Sequence, residues 1–390
     1  MASIAARRHA ALATVLAVLA IFHGSLFPYV FRAPPGPGGP IDALLNSWAD
    51  HPSGLGDILA NVLFYVPFGL FAALAAPGRK VVGFCLVTLV GAALSTSMEL
   101  LQFYDTDRVT SLWDVASNTI GTALGASAAV LVGAGPSVPV LRQITANPVP
   151  SLLLIAMLGY RLVPYVPVID LHKYWTALKP LLSGPLPTPG EVFRYFALWV
   201  TASELLAEIF GTALSLLLAP LLVGFVLAAK IAIYASVLTR AELAGAGLAV
   251  LVAWPILHRS PGRAATVAVL LLVSVVIERL EPFAFRPEAA RPFGWFPFRS
   301  FLGGSLLVNT AAFCEKVFSY GSLLWMWQRA GPRPWAAVLL VASILLATSF
   351  AQTMLPGRSA EITDTVLVLF VAVLQHLPSE SNQTYCPTRT

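Results

Sequence analysis

Residues 81–125 read VVGFCLVTLVGAALSTSMELLQFYDTDRVTSLWDVASNTIGTALG. No charge falls between Val81 and Met98, and none between Val115 and Leu141. Between these runs sit Glu99, Asp105, Asp107, Arg108 and Asp114. A helix needs about 20 apolar residues to cross a bilayer. Two such runs joined by a short charged turn describe two helices that cross and meet at one membrane face.

The rest of the chain extends this pattern. Of its 390 residues, 57% are hydrophobic and 11% charged, with a mean hydropathy of +0.78. Soluble domains carry roughly 25% charged residues. The apolar runs are continuous and do not alternate with polar residues, which excludes a β-barrel. The fold class is all-α: a polytopic transmembrane bundle of about 12 helices. The expected spans are 10–31, 58–76, 81–102, 112–134, 149–168, 192–211, 213–233, 242–257, 264–280, 301–327, 334–352 and 363–378. Two, three or four crossings fit the apolar block 192–257. Pro28, Pro67, Pro164, Pro167 and Pro220 lie in or near spans, where neighbours can satisfy freed backbone groups. The N-terminal run follows Arg7-Arg8 and ends without a small-x-small cleavage site, so it reads as a retained first helix.

The net charge of +5 comes from basic residues scattered singly or in pairs between the apolar runs. That spacing sets topology and does not suit nucleic acid. With twelve crossings, Arg7/Arg8, Arg79/Lys80, Arg142, Arg259/Arg263 and Arg329/Arg333 share one side, which the positive-inside rule makes cytoplasmic. Both termini are then cytoplasmic and residues 103–111 face outward. Arg286, Arg291 and Arg299 oppose this pattern from the longer 281–300 loop, where charge counts less. Cys85, Cys314 and Cys386 suggest neither a disulfide framework nor a metal site, and the first two are expected to be buried free thiols. No metal or cofactor is called for.

Gln102, Arg108 and Asp114 stand as Q-x5-R-x5-D between the third and fourth expected helices. Gln352, Arg358 and Asp364 repeat the spacing between the eleventh and twelfth. The pattern points to a degenerate, parallel four-helix internal repeat. Glu99 and Asn118 become Ser349 and Val368 in the second copy, so only the first keeps the full polar set. The chain divides accordingly into 1–135, the middle helices 149–257, the second copy 264–378 and a tail 379–390.

Glu99 and Gln102 share one helical face, as do Asp114 and Asn118, and Asp57 and Asn61. Ser111-x-x-Asp114 has the form of a capping box. Arg108 is the one cation amid Glu99, Asp105, Asp107 and Asp114, and its guanidinium suits a carboxylate or a phosphate. These groups either form a clamp, with Arg108 paired to Glu99 or Asp114, or line a pocket for a polar headgroup or peptide. Gly121-x-x-x-Gly125 is a small-xxx-small face for close helix packing, more consistent with packing within the chain than with a dimer.

The runs DILANVLFYVPFGL (57–70) and MELLQFYDTDRVTSLWDVASNTIGTALG (98–125) resemble the VanZ-like family, named for a protein of the glycopeptide-resistance cluster. The matching positions are Asp57, Asn61, Pro67, Gly69, Glu99, Gln102, Arg108, Asp114, Asn118, Gly121 and Gly125. The resemblance covers about residues 10–135, and the second copy shares only its Gln, Arg and Asp. It implies a four-helix membrane domain linked to teicoplanin resistance, with no defined reaction.

Further polar residues lie inside apolar runs. Glu204 and Glu208 sit one turn apart; they either relay protons or bind a cation, or pair with Arg161 or Lys230, or belong to a segment lying along the interface. Glu315 and Lys316 are adjacent and either neutralise each other or point apart. His172-Lys173-Tyr174-Trp175 reads as an interfacial belt in an outer loop. Phosphate-loop, zincin and nucleophile-elbow motifs are all missing. Three functions fit: a protein that binds or shields a glycopeptide or lipid-linked envelope precursor at the outer membrane face; an integral-membrane enzyme acting on lipid-linked cell-envelope or polysaccharide intermediates; and a transporter using Glu204 and Glu208. The partner common to all is the lipid bilayer, and the sequence sets no oligomeric state.

Overall fold

The computed structural model describes every residue except 1–3, 27–28, 34–37, 50–53, 77–79, 107, 135–138, 303–305, 332 and 377–390. Pro28, Arg79, Asp107, Cys386 and the tail 379–390 lie outside the described residues. Among those described, all regular elements are helical, with three isolated bridges and no strand. The chain forms two compact units, the first built mainly on residues 1–142 and the second on 143–304 and 308–375.

The first unit contains α1 (Ile4–Leu26), α2 (Pro40–Asn46), α3 (Leu55–Ala75), α4 (Lys80–Gln102) and α5 (Leu112–Ala134), and α6 (Pro139–Ala146) follows it. The second contains α7 (Pro148–Arg161), α8 (Leu171–Ser183), α9 (Pro189–Phe210) and α10 (Thr212–Ala232). Next come α11 (Arg240–Gly247), a π segment (Leu248–Ala253) and α12 (Trp254–Leu257). The unit is completed by α13 (Arg263–Leu280), α14 (Arg299–Leu302), α15 (Leu306–Arg329), α16 (Pro334–Ala351) and α17 (Thr363–His376).

Each expected span overlaps a helix, and the block 192–257 resolves into α9, α10 and the α11–α12 rod. Gly211, at φ 89°, makes the turn between α9 and α10. By length and composition, five helices among the described residues are apolar enough to cross a membrane: Asp57–Ala75, Lys80–Gln102, Thr212–Ala232, Arg240–Leu257 and Pro334–Met354. Ala10–Leu26, Pro148–Arg161 and Thr363–Gln375 are shorter apolar helices.

The stretch around His172 is helical rather than a loop. Asp170 caps α8 by accepting the His172 N–H at 2.9 Å. Lys173 Nζ then donates to the Ile231 and Ser236 carbonyls, both at 2.9 Å, at the end of α10. A helix end leaves its last carbonyls without intrahelical donors, and an ammonium is a fitting partner for them. Cys85 is exposed and Cys314 half-buried, so the expectation of two buried thiols does not hold. Cys85 falls on the outward face of α4 beside the exposed Val81, Leu86 and Leu89.

The first unit is organised by a seam between α3 and α5. A Cβ on Gly121 would come within 2.1 Å of the Val62 carbonyl oxygen, and one on Gly125 within 2.1 Å of that of Val66. From the other side, a Cβ on Gly69 would meet the Thr122 carbonyl oxygen at 2.1 Å. The small-residue face therefore packs inside the chain, backbone against backbone, as such faces do in membranes.

Three helices finish alike. The N–H groups of Tyr29, Tyr165 and Phe283 donate back to the carbonyls of Leu26, Leu162 and Leu280, at 2.7, 2.8 and 2.7 Å. All three aromatic residues have positive φ, at 64°, 62° and 60°, which is uncommon outside glycine. In sequence each turn is Leu-x-Pro-aromatic.

Gly121→Ala is expected to lower the thermal midpoint of the purified protein, consistent with a cost of about 1–3 kcal/mol for forcing apart a packed interface. Gly224→Ala, which meets nothing within 4 Å, should leave the midpoint unchanged or raise it slightly. Size-exclusion thermostability of the two variants in one detergent checks the difference.

Candidate functional site

The start of α5 meets the ends of α4 and α1. Glu99, 3% exposed on α4, accepts the Ser111 N–H at 2.9 Å through its carboxylate. Its backbone carbonyl accepts the Thr110 hydroxyl at 3.2 Å. Ser111 Oγ accepts the Asp114 N–H at 3.3 Å, the N-cap bond expected of its sequence position. Ser47 Oγ receives the Leu112 N–H at 2.9 Å, and Trp48 stacks on Trp113 with ring centroids 4.5 Å apart. The polar turn is thereby fastened to the short helix α2 and the turn after it.

Within this frame, Asn61 and Asp57 of α3 face the Asp114 carboxylate, and Arg108 lies within electrostatic reach of both Glu99 and Asp114. Asn118 is 6% exposed, and its Nδ2 donates to Ser95 Oγ at 2.9 Å. Among the described residues its Oδ1 meets no hydrogen-bond geometry, nor does the buried Tyr65 hydroxyl, which lies close to Ser95 and Glu99. The structure thus brings Asp57, Asn61, Glu99, Arg108, Asp114 and Asn118 to one end of the four-helix unit. Gln102 stands slightly apart, donating through Nε2 to the Ser25 carbonyl at 2.9 Å.

The clamp expected of Arg108 is not formed. Among the described residues it makes no ion pair within 4 Å. Its Nη2 donates instead to the Gly24 carbonyl at 3.2 Å. The last turn of α1 leaves that carbonyl unmet, and a guanidinium reaches it without surrendering the charge.

Elsewhere, acids at helix starts are locked. Gln352 Nε2 donates to the Arg279 carbonyl at 2.9 Å, and Arg358 donates to the Glu281 carbonyl at 2.9 and 2.7 Å. These bonds mirror those of Gln102 and Arg108. Asp364, however, is held by two cations, Arg279 and Lys316, the latter at 2.5 Å. Arg279 also donates to Thr348 Oγ1 and Ser349 Oγ, each at 2.7 Å, and to the Tyr320 hydroxyl at 3.0 Å. In the middle helices Glu242 is held in the same way by Arg161 and Lys230, and Ser236 Oγ reaches the Val163 carbonyl at 3.4 Å.

Sequence reasoning missed Arg279 and Glu242 and gave Lys316, Arg161 and Lys230 other partners, although two signals pointed to these sets. Twelve positions separate Gln102 from Asp114, Gln352 from Asp364, and also Lys230 from Glu242. Val-Leu-Phe-Tyr65, Val-Phe-Ser-Tyr320 and Val-Phe-Arg-Tyr195 also recur with one pattern inside α3, α15 and α9.

One other expectation is corrected and one open alternative is decided. Glu204 pairs with Arg263, whose Nε lies 3.0 Å from both carboxylate oxygens, and Glu208 pairs with Arg329 and with Arg263 at 3.5 Å. Arg161, through Nη2, and Lys230 pair instead with Glu242. Lys316 and Glu315 point apart, as neighbours on a helix do.

These features define a multi-pass helical membrane protein with a polar cluster at one end of its first four-helix unit. Residues 14–133 match the family model described as VanZ/LLP1, and this part of the chain is a VanZ-like domain. No curated protein and no solved structure matches the chain.

Removing an acid should cost very different amounts at the two kinds of helix start. Asp364→Asn strands the buried Arg279 and the half-buried Lys316 and should destabilise by about 3–5 kcal/mol. Asp114→Asn strands none and should stay within about 1 kcal/mol of wild type. Thermal midpoints of the two variants at equal purity decide between them.

Proposed function

We propose that the first unit binds or shields a polar group at the outer face of the bacterial cytoplasmic membrane. The group belongs to a glycopeptide or a lipid-linked envelope precursor, and expression of the chain changes teicoplanin susceptibility. One observation carries this reading. Of three corresponding helix-start acids, Asp114 alone has no cation within ion-pair distance among the described residues, while Glu242 and Asp364 each have two. The cluster of the first unit thus retains chemistry that the other two sets spend on themselves. Arg108 keeps donors free for a phosphate or carboxylate, and Asp57, Asn61 and Asp114 offer acceptors beside it.

In this reading the three sets are copies of one four-helix plan, the second and third degenerate. Both chain termini are cytoplasmic, which puts the cluster on the outer side. The Glu204/Glu208 pair that suggested transport is engaged by Arg263 and Arg329, so it lends that alternative no support.

The test is the minimum inhibitory concentration of teicoplanin in a susceptible host expressing wild type or Arg108→Ala at equal membrane levels. A rise with wild type that the variant abolishes is the expected result. No rise at normal expression overturns the reading.

Catalysis on a lipid-linked intermediate is a second reading, favoured by the buried Glu99 carboxylate beside the unpartnered Tyr65 hydroxyl and Asn118 Oδ1. An enzyme would lose turnover with Glu99→Gln while still binding its ligand. A binding protein shows no turnover in either form.

A further inference from the structure

The second unit holds a cavity of about 150 Å³ bounded by α7, α9, α13 and α15. Its polar lining includes Arg161, Arg194, Ser274, Glu278, Glu315 and Ser319. Other helical hydroxyls in this unit, such as those of Thr201 and Ser203, return to a carbonyl one turn back at 2.8 Å. Ser274, only 6% exposed, makes no hydrogen bond among the described residues, and neither does Ser319. The Glu278 and Glu315 carboxylates likewise have no hydrogen bond or ion pair there. On the facing wall Arg161 is 10% exposed. It is flanked by the Tyr160 and Tyr195 rings at 5.7 and 5.3 Å, Glu242 holds its Nη2, and among the described residues its Nε has no hydrogen-bond partner. Buried polar groups in native proteins almost always have partners, so this concentration of unmet donors and acceptors around one space marks a place for something that enters it.

Charge selects what enters. The acids come from α13 and α15, and the arginines from α7 and α9. The acids are thus on one side of the cavity and the arginines on the other. A guest carrying both signs meets each wall with its opposite. Arg194 pairs with Glu281 at 3.4 Å, and both side chains are about a third exposed, which puts this pair at the mouth.

We propose that this cavity binds a small zwitterion, its ammonium between Glu278 and Glu315 and its acid group toward Arg161 and Arg194. The source of that chemistry is either a lipid headgroup of the aminoethyl-phosphate kind or a free amino acid. The site is separate from the proposed function of the first unit and stands or falls without it.

The experiment measures ligand binding to the full-length protein. One arm titrates phosphoethanolamine, glycine and ethylamine in detergent. The other measures retention of phosphatidylethanolamine over phosphatidylglycerol in lipid nanodiscs. The expected result is saturable binding of a zwitterion in at least one arm, and the arm that responds identifies the source. The paired change Glu278→Gln with Glu315→Gln should weaken binding by about tenfold or more, given the strength of charge-assisted hydrogen bonds. Glu288→Gln, on an exposed loop, should not change it. If the double variant fails to fold, Ser274→Leu, which fills the cavity with apolar bulk, replaces it with the same expectation. Three outcomes overturn the proposal: no saturable binding, as for a cavity holding only water; ethylamine binding as tightly as the zwitterions; or binding that neither variant weakens.

Discussion

An acid at the first turn of a membrane helix has to be met. The helix dipole welcomes it, but a carboxylate near the hydrocarbon needs a partner or water. Much of this structure follows from how that demand is answered at Asp114, Glu242 and Asp364. In two cases the answer is a pair of cations, drawn at Glu242 from the ends of two helices and at Asp364 from the end of one helix and the body of another. In the third it is an asparagine, a second acid and an arginine held off by a carbonyl. The locked ends tie four helices together through charge. The unlocked end relies for cohesion on the glycine seam, where α3 and α5 bring backbone against backbone.

That difference separates structure from chemistry. A locked acid has spent its hydrogen-bonding capacity, as the contacts of Arg279 with Asp364, Tyr320, Thr348 and Ser349 show. The first unit leaves a carboxamide oxygen and a phenol unmet while keeping an arginine at close range. The cavity of the second unit repeats the situation at another place, with carboxylates and hydroxyls facing open space.

Much of the helix layout was legible in the sequence because an apolar run bounded by charge has few alternatives in a membrane. Gly211 and the π segment settle the block 192–257 through backbone detail that hydropathy does not carry. The cluster of the first unit was legible from helical spacing alone, since Glu99 with Gln102 and Asp114 with Asn118 must share faces. Pairings between distant segments were not. Arg263 and Arg329 read as loop charges, yet they fold onto Glu204 and Glu208, because long side chains at helix ends reach back along the neighbouring helix. Arg108 looked like a partner for carboxylates nearby in sequence, and a carbonyl 84 positions earlier took it instead. Unmet backbone acceptors do not appear in a string of side chains.

Those carbonyls bear on how the protein is made. The last turn of α1 is completed by Gln102 and Arg108, that of α13 by Gln352 and Arg358, and the turn after α7 by Ser236. Each of these helices therefore emerges from synthesis with an end that its own neighbourhood does not finish. It stays open until the third helix of its set has been inserted and the chain has turned back. Insertion of these helices as whole blocks, each with its third helix, would leave none of these carbonyls waiting in the bilayer.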